Sequence, residues 1–118
     1  MTSLAAFDRF CRGLPGSSFV VQWGGCHVHK VGPKLFAVGA GEAGFGGVGG
    51  FVFKATPLAD QILREQGLAI RAPYLRRGTW VRVEAGAMRP AELFSYIAES
   101  YRLAVAAMTK AARRELGV

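Results

Sequence analysis

Cysteine is scarce in this chain. Its two residues, Cys11 and Cys26, form neither a CxxC pair nor a disulfide framework, which excludes a small secreted scaffold held by bridges. No apolar run approaches the roughly 20 residues of a membrane span. The opening residues, with Asp8 and Arg9, do not read as a secretory signal. The expectation is a cytoplasmic protein with reduced thiols and no membrane partner. Catalytic motifs are missing as well. There is no GK[ST] for a phosphate loop, no serine elbow and no recognisable carboxylate pair, so no enzymatic activity is expected. Acidic residues are few: eight Asp+Glu face fifteen Lys+Arg, giving a formal charge of +7 and a pI near 10.1.

What remains is a folding sequence. The 118 residues, 51% hydrophobic, suit one domain spanning 1–118 with a single core. The excess charge is uneven. Residues 1–60 hold five basic and three acidic groups, and 61–118 hold ten and five. Arg71, Arg76, Arg77 and Arg82 fall in a stretch with no acid between Glu65 and Glu84. A basic surface of this kind favours a polyanion, nucleic acid above all.

The pattern predicts a helix over Ser3–Arg12, with Thr2 or Ser3 as its cap and Leu4, Phe7, Phe10 and Cys11 on one face. Leu14-Pro15-Gly16 ends it. Strands follow at Phe19–Trp23, Cys26–Val31 and Leu35–Val38, joined by Gly24-Gly25 and Gly32-Pro33, so short that the neighbours must be antiparallel. Residues 39–50 hold seven glycines in twelve positions, a loop or distorted hairpin. Phe51–Lys54 resumes a strand. Thr56 and Pro57 start a helix whose buried face is expected to be Leu58, Ile62 and Leu63, stopped by Gly67. In Trp80–Val83, Trp80 and Arg82 share one face and Val81 and Val83 the other. Pro90 opens a long helical segment with a stripe of Leu93, Ile97, Tyr101, Val105, Met108 and Ala112, and Ser100 is a candidate cap for a second helix within it. Together this is an α+β fold, an antiparallel sheet of hairpins packed against helices.

Some motifs carry less than they promise. Gly39-Ala40-Gly41-Glu42-Ala43-Gly44 matches GxGxxG, with Asp60 downstream, yet Phe45-Gly46-Gly47-Val48-Gly49-Gly50 cannot be the helix that holds a pyrophosphate. His27 and His29 share a strand face with Cys26 opposite. Two imidazoles could share a metal, but no further ligand is evident, so they read as surface or partner-facing histidines. No metal and no cofactor is expected. Cys11 reads as a buried, inert thiol and Tyr101 as a core residue. Lys110, Arg113 and Arg114 read as complements to a helix dipole. Tyr74 and Trp80 remain open between stacking on bases and structural packing, with Arg82 lying over the Trp80 indole in the structural alternative.

Several segments resemble the MmcQ/YjbR family of small bacterial proteins: Leu14-Pro15-Gly16, Lys34-Leu35-Phe36-Ala37, Lys54-Ala55-Thr56-Pro57, Ala72 to Val83, and Glu99-Ser100-Tyr101-Arg102-Leu103-Ala104. They run in family order along nearly the whole chain, and only the glycine-rich segment is longer and barer than the family leads one to expect. The resemblance implies a CyaY-like, or frataxin-like, fold whose hairpins have been likened to a double-wing nucleic-acid-binding motif. It carries no iron role here, because frataxin-type binding needs an acidic surface. Lys30 and Lys34 flank a hairpin tip, and Arg76 and Arg77 sit together on a turn where both cannot be buried cheaply. The reading is a non-enzymatic DNA-binding protein. Lys30, Lys34, Arg71, Arg76, Arg77 and Arg82 would meet phosphates, Trp80 would stack, and sequence preference would be modest. The alternative is a protein-interaction or small-ligand module with an acidic partner. The chain is expected to be a monomer or a weak homodimer.

Overall fold

Three polar side chains begin helices by the same device. Ser3 accepts from the Ala6 N–H, Thr56 from Ala59 and Thr109 from Ala112, each at 3.1 Å, satisfying backbone donors that a helix start leaves unpaired. They open α1 (Leu4–Arg12), α2 (Pro57–Glu65) and α4 (Lys110–Leu116), while α3 (Pro90–Ala106) starts on Pro90 without a side-chain cap. The structure, a computed structural model, describes residues 2–40, 49–73, 75 and 77–118.

Six strands form one antiparallel sheet: β1 (Ser17–Gln22), β2 (Cys26–Val31), β3 (Lys34–Ala40), β4 (Gly50–Lys54), β5 (Ala69–Arg71) and β6 (Trp80–Val83). Their order is β1-β2-β3-β4-β6-β5. β4 and β5 therefore run the same way with β6 between them, and α2 makes the crossover that parallel strands require. The radius of gyration, 13.4 Å, is that of one packed unit; about 13 Å is usual for 100 residues.

Helices cover one face of the sheet. Phe36, Phe51, Phe53, Val81 and Val83 point into a core with Phe7, Cys11, Leu63, Leu93 and Ile97. Gly39 lets α1 lie this close. A Cβ there would stand 2.6 Å from the Phe7 ring and 2.7 Å from Leu4. The first glycine of the GxGxxG match thus serves packing, Ala40 ends β3, and the match from Gly41 onward lies outside the described residues. Pairing skips Phe36 between His29↔Ala37 and Lys30↔Leu35, a bulge that sends both Phe36 and Ala37 into the helical core.

Two expectations change. The long helical segment does not break at Ser100. α3 runs through it and ends at Ala106, and Thr109 caps the last helix. Ser100 points inward instead. Its hydroxyl donates to the Phe36 carbonyl at 2.7 Å and accepts from the Lys54 N–H at 2.9 Å. In α2 the inward stripe is Ala59 and Leu63, whereas Leu58 and Ile62 are 67% and 40% exposed. The helix crosses beside the three-residue β5, and residues rotated by about 100° from its contact stripe meet no layer above them.

Replacing Ser100 by Ala should cost about 2–4 kcal/mol, because two backbone groups in a buried setting lose their partner. Urea unfolding would measure it. A loss under about 0.5 kcal/mol would mean that those groups find other partners.

Candidate functional site

The face of the sheet turned away from the helices carries a second, smaller core. Cys26, Val28, Val38 and Val52 are buried there with Ala72, and Leu35, Ala40, Leu75 and Trp80 pack around them. The Ala72–Thr79 connection between β5 and β6 therefore folds across this face. It is held at both ends, by Ala72 N–H to the Trp80 carbonyl at 3.0 Å and by Thr79, whose hydroxyl donates to the Ala55 carbonyl.

Strand parity and register sort the charges. Paired residues share a face, so Lys30 (opposite Leu35), Lys54 (opposite Trp80) and Arg82 (opposite Val52) lie on the open face. Lys34 pairs with Val31 and Arg71 with Val81, which places both on the helical side, exposed at strand ends. Lys30 and Lys34 do flank one hairpin turn, as expected, but they point to opposite faces. Arg77 is exposed in the covering connection beside Gly78, whose φ of +86° suits glycine alone. Arg76 and Tyr74 lie outside the described residues.

Arg82 departs from the expectation of a phosphate contact. It is 8% exposed, and its Nε donates to the Gly49 carbonyl at 2.6 Å, bracing the start of β4. Trp80 is half-buried against the small core, so structural packing accounts for one side of its ring. Lys54 was not singled out in the sequence as a contact. It belongs here: a Cβ at Gly78 would meet its Cε at 3.0 Å and the Trp80 Nε1 at 3.7 Å, so the lysine stem, Gly78 and the indole lie side by side. Its only advance signal was its position at the end of an alternating strand that faces an aromatic.

A separate polar cluster joins α1 to β2. The Asp8 carboxylate accepts from His27 Nδ1 at 2.6 Å and from His29 Nε2 at 2.8 Å. Because a carboxylate only accepts, each of these nitrogens carries its hydrogen. The reading of surface histidines is thus corrected. His29 is fully buried, with Phe7 edge-on at 5.2 Å and Phe19 at 5.0 Å, and its Nδ1 has no partner. Burial holds this imidazole below its ordinary range, and the bond and charge of Asp8 oppose that only in part. Cys11 is buried nearby, its thiol pushed up by burial and by Asp8, which keeps it unreactive. Among the described residues, no group of three or more His, Cys, Asp or Glu is arranged to hold a metal ion.

The family model described as YjbR matches residues 12–103. The chain belongs to the YjbR family. No curated protein matches it. The crystal structure of the Deinococcus radiodurans protein DR2400, titled as a DUF419 domain, superimposes with a TM-score of 0.82 at 24% identity, covering 100% of this chain and 90% of that one. At that identity the likeness establishes the α+β fold alone. Among the described residues of this YjbR domain, no helix is long and apolar enough to cross a membrane.

The histidine cluster makes stability depend on pH. His29 protonates near 6.5 when the chain unfolds but only at lower pH in the fold. Its contribution is therefore whole above 6.5 and is lost as pH falls toward the folded-state value, with a slope of up to about 1.4 kcal/mol per pH unit. His29→Gln keeps an N–H for Asp8 and cannot titrate. Urea unfolding at a series of pH values between about 7.5 and about 5 should show a shallower dependence in this variant. Equal slopes would acquit His29.

Proposed function

We propose that this YjbR domain binds nucleic acid, DNA in the first place, through phosphate contacts and without catalysing a reaction. One observation carries the reading. The six strands contain Lys30, Lys34, Lys54, Arg71 and Arg82 and no carboxylate at all, while every described Asp and Glu lies on a helix or a connection. Four of those seven carboxylates answer to neighbours of their own: Asp60 to Arg64, Glu92 to Arg89, Glu99 to Arg102, and Asp8 to the two histidines. Among the described residues, no ion pair involves Lys30, Lys34, Lys54, Arg71 or Arg77. The sheet lysines and Arg71 are thus left, among the described residues, without a carboxylate partner, which suits a polyanion.

Lys30, Lys54 and Arg77 form the gripping set on the open face. Trp80 offers the exposed part of its ring to a base or sugar, and Lys34 and Arg71 extend the basic rim. Contacts of this type position a backbone and read little sequence. Such binding fits a cytoplasmic location, with Cys11 and Cys26 both buried and unbridged. The same surface could take an acidic protein, and salt dependence separates the two readings.

Fluorescence anisotropy with labelled duplex DNA over a range of salt concentrations tests this, comparing the native chain with Lys54→Ala/Arg77→Ala. Affinity should fall linearly on a log–log salt plot, and the double variant should flatten the slope by about 2. An unchanged slope would remove these residues from the interface. Failure to bind DNA at low salt would overturn the reading in favour of a protein partner.

A further inference from the structure

Among the described residues, four of the seven exposed large hydrophobic side chains sit on one strand and its turn. Phe19, Val20, Val21 and Trp23 are 37%, 44%, 53% and 54% exposed. The strand is β1, the outermost in the described sheet, with only β2 beside it. Edge strands present unpaired backbone donors and acceptors, and proteins usually blunt them with a charge, a proline, a bulge or a very short strand. The opposite edge is treated that way. β5 has three residues, carries Arg71 and runs into Pro73. β1 has none of these protections. Its six residues, Ser-Ser-Phe-Val-Val-Gln, hold no charge and no proline, and their register with β2 is regular from end to end.

The charge pattern identifies the occupant. A chain of +7 repels its own copies wherever cations meet, so a seam between two copies is favoured on a strand with no charge of its own, the nearest guanidinium here being Arg12, 5.7 Å above the Phe19 ring. Residues 13–26 contain no Asp, Glu, Lys or Arg, and β1 lies wholly inside them. The strand also complements itself. Antiparallel pairing about a two-fold axis through Val20 sets Phe19 against Val21 of the second copy, Val20 against its own mate and Ser18 against Gln22. These are aromatic–β-branched, aliphatic and polar pairs, all favourable across strands. Trp23 holds a left-handed conformation, φ +55°, unusual for such a side chain. It lies just past β1, where it would reach across to Ser17 of the second copy.

We propose that β1 is a homodimerisation edge, joining two copies through antiparallel β1–β1 pairing into one continuous sheet of twice the width. Helices of both copies then lie on the same side, and the open faces form one broad surface. The strand is at the far edge from Trp80 and β5, so dimerisation and nucleic-acid binding can be tested separately.

Sedimentation equilibrium of the full chain over a concentration series should show a reversible dimer. Val20→Lys sets like charges against each other at the two-fold axis and should raise the dimer dissociation constant at least about tenfold. Thermal melting by circular dichroism would check that this variant folds. A second measurement is independent of it: Val20→Cys should form a disulfide-linked dimer on mild oxidation. Gln22→Cys should not, because its mate lies four residues farther along the second strand, at about 3.4 Å per residue. A native chain that stays monomeric throughout, a dimer indifferent to Val20→Lys, or Gln22→Cys linking as readily as Val20→Cys would overturn the proposal.

Discussion

One hydroxyl organises the centre of this domain. The ladder between β3 and β4 is last in register at Ala37↔Phe53. Just beyond that pair, Ser100 stands between the Phe36 carbonyl and the Lys54 N–H, donating to one and accepting from the other. A helix interior normally offers a sheet only apolar groups. Here α3 supplies the hydrogen bond that the strands cease to make with each other, at a site where an unpaired group would be costly. The bulge at Phe36 and the end of β4 are both pinned to the same turn of α3. Because side chains alternate along a strand, sending Phe53 into the helical core sends Lys54 to the open face. The basic surface is thus oriented by a contact on the other side of the sheet.

The neighbouring contacts have the same character. Tyr101, next to Ser100, donates from its hydroxyl to the Pro15 carbonyl at 2.5 Å, tying α3 to the turn that ends α1. Thr79 and Ala55 exchange bonds at the start of β6, with the Ala55 N–H donating back to Thr79 at 2.9 Å. Each of these bonds joins two of the segments that resemble the YjbR family: 14–16 with 99–104, 34–37 and 54–57 with 99–104, and 54–57 with 72–83. The family signature is, in this chain, mainly a set of joints between elements. This explains how motifs could identify the family firmly while saying little about what the protein binds.

Legibility followed the range of the interaction. Ser3 and Thr56 cap within one turn, so their helices could be located from a few residues, and Cys26–Val31 emerged with its observed bounds because tight turns flank it. Ser100 was misplaced because a serine within a helical pattern looks locally like a cap. Its true partners are 64 and 46 residues away in the chain. Leu58 and Ile62 looked buried because hydrophobicity alone cannot show how far a sheet extends beneath a helix. Arg82 shares a face with Trp80, as alternation requires. Whether a guanidinium on that face meets solvent or a carbonyl depends on Gly49 and on the connection folded above it. The pairing of His27 and His29 with Asp8 likewise spans 19 and 21 residues, and no local spacing announces it.

The charge distribution follows from this architecture and is independent of the signature joints. A helix can place carboxylates next to its own cations at i+3 or i+4, as Asp60–Arg64, Glu92–Arg89 and Glu99–Arg102 do. A strand has no such neighbour on its own face, since residues two apart stand almost 7 Å from each other. Cations on the open face could be neutralised by acids on adjacent strands or on the connection above, and the described strands have none. Lys30 and Lys54, which have no carboxylate partner among the described residues, therefore stand at positions where the joints of the fold would tolerate either sign. Among proteins with this fold, the charge of the residues equivalent to Lys30, Lys54 and Arg77 should vary with the partner, while the contacts of Ser100, Tyr101 and Thr79 vary only at a cost in stability.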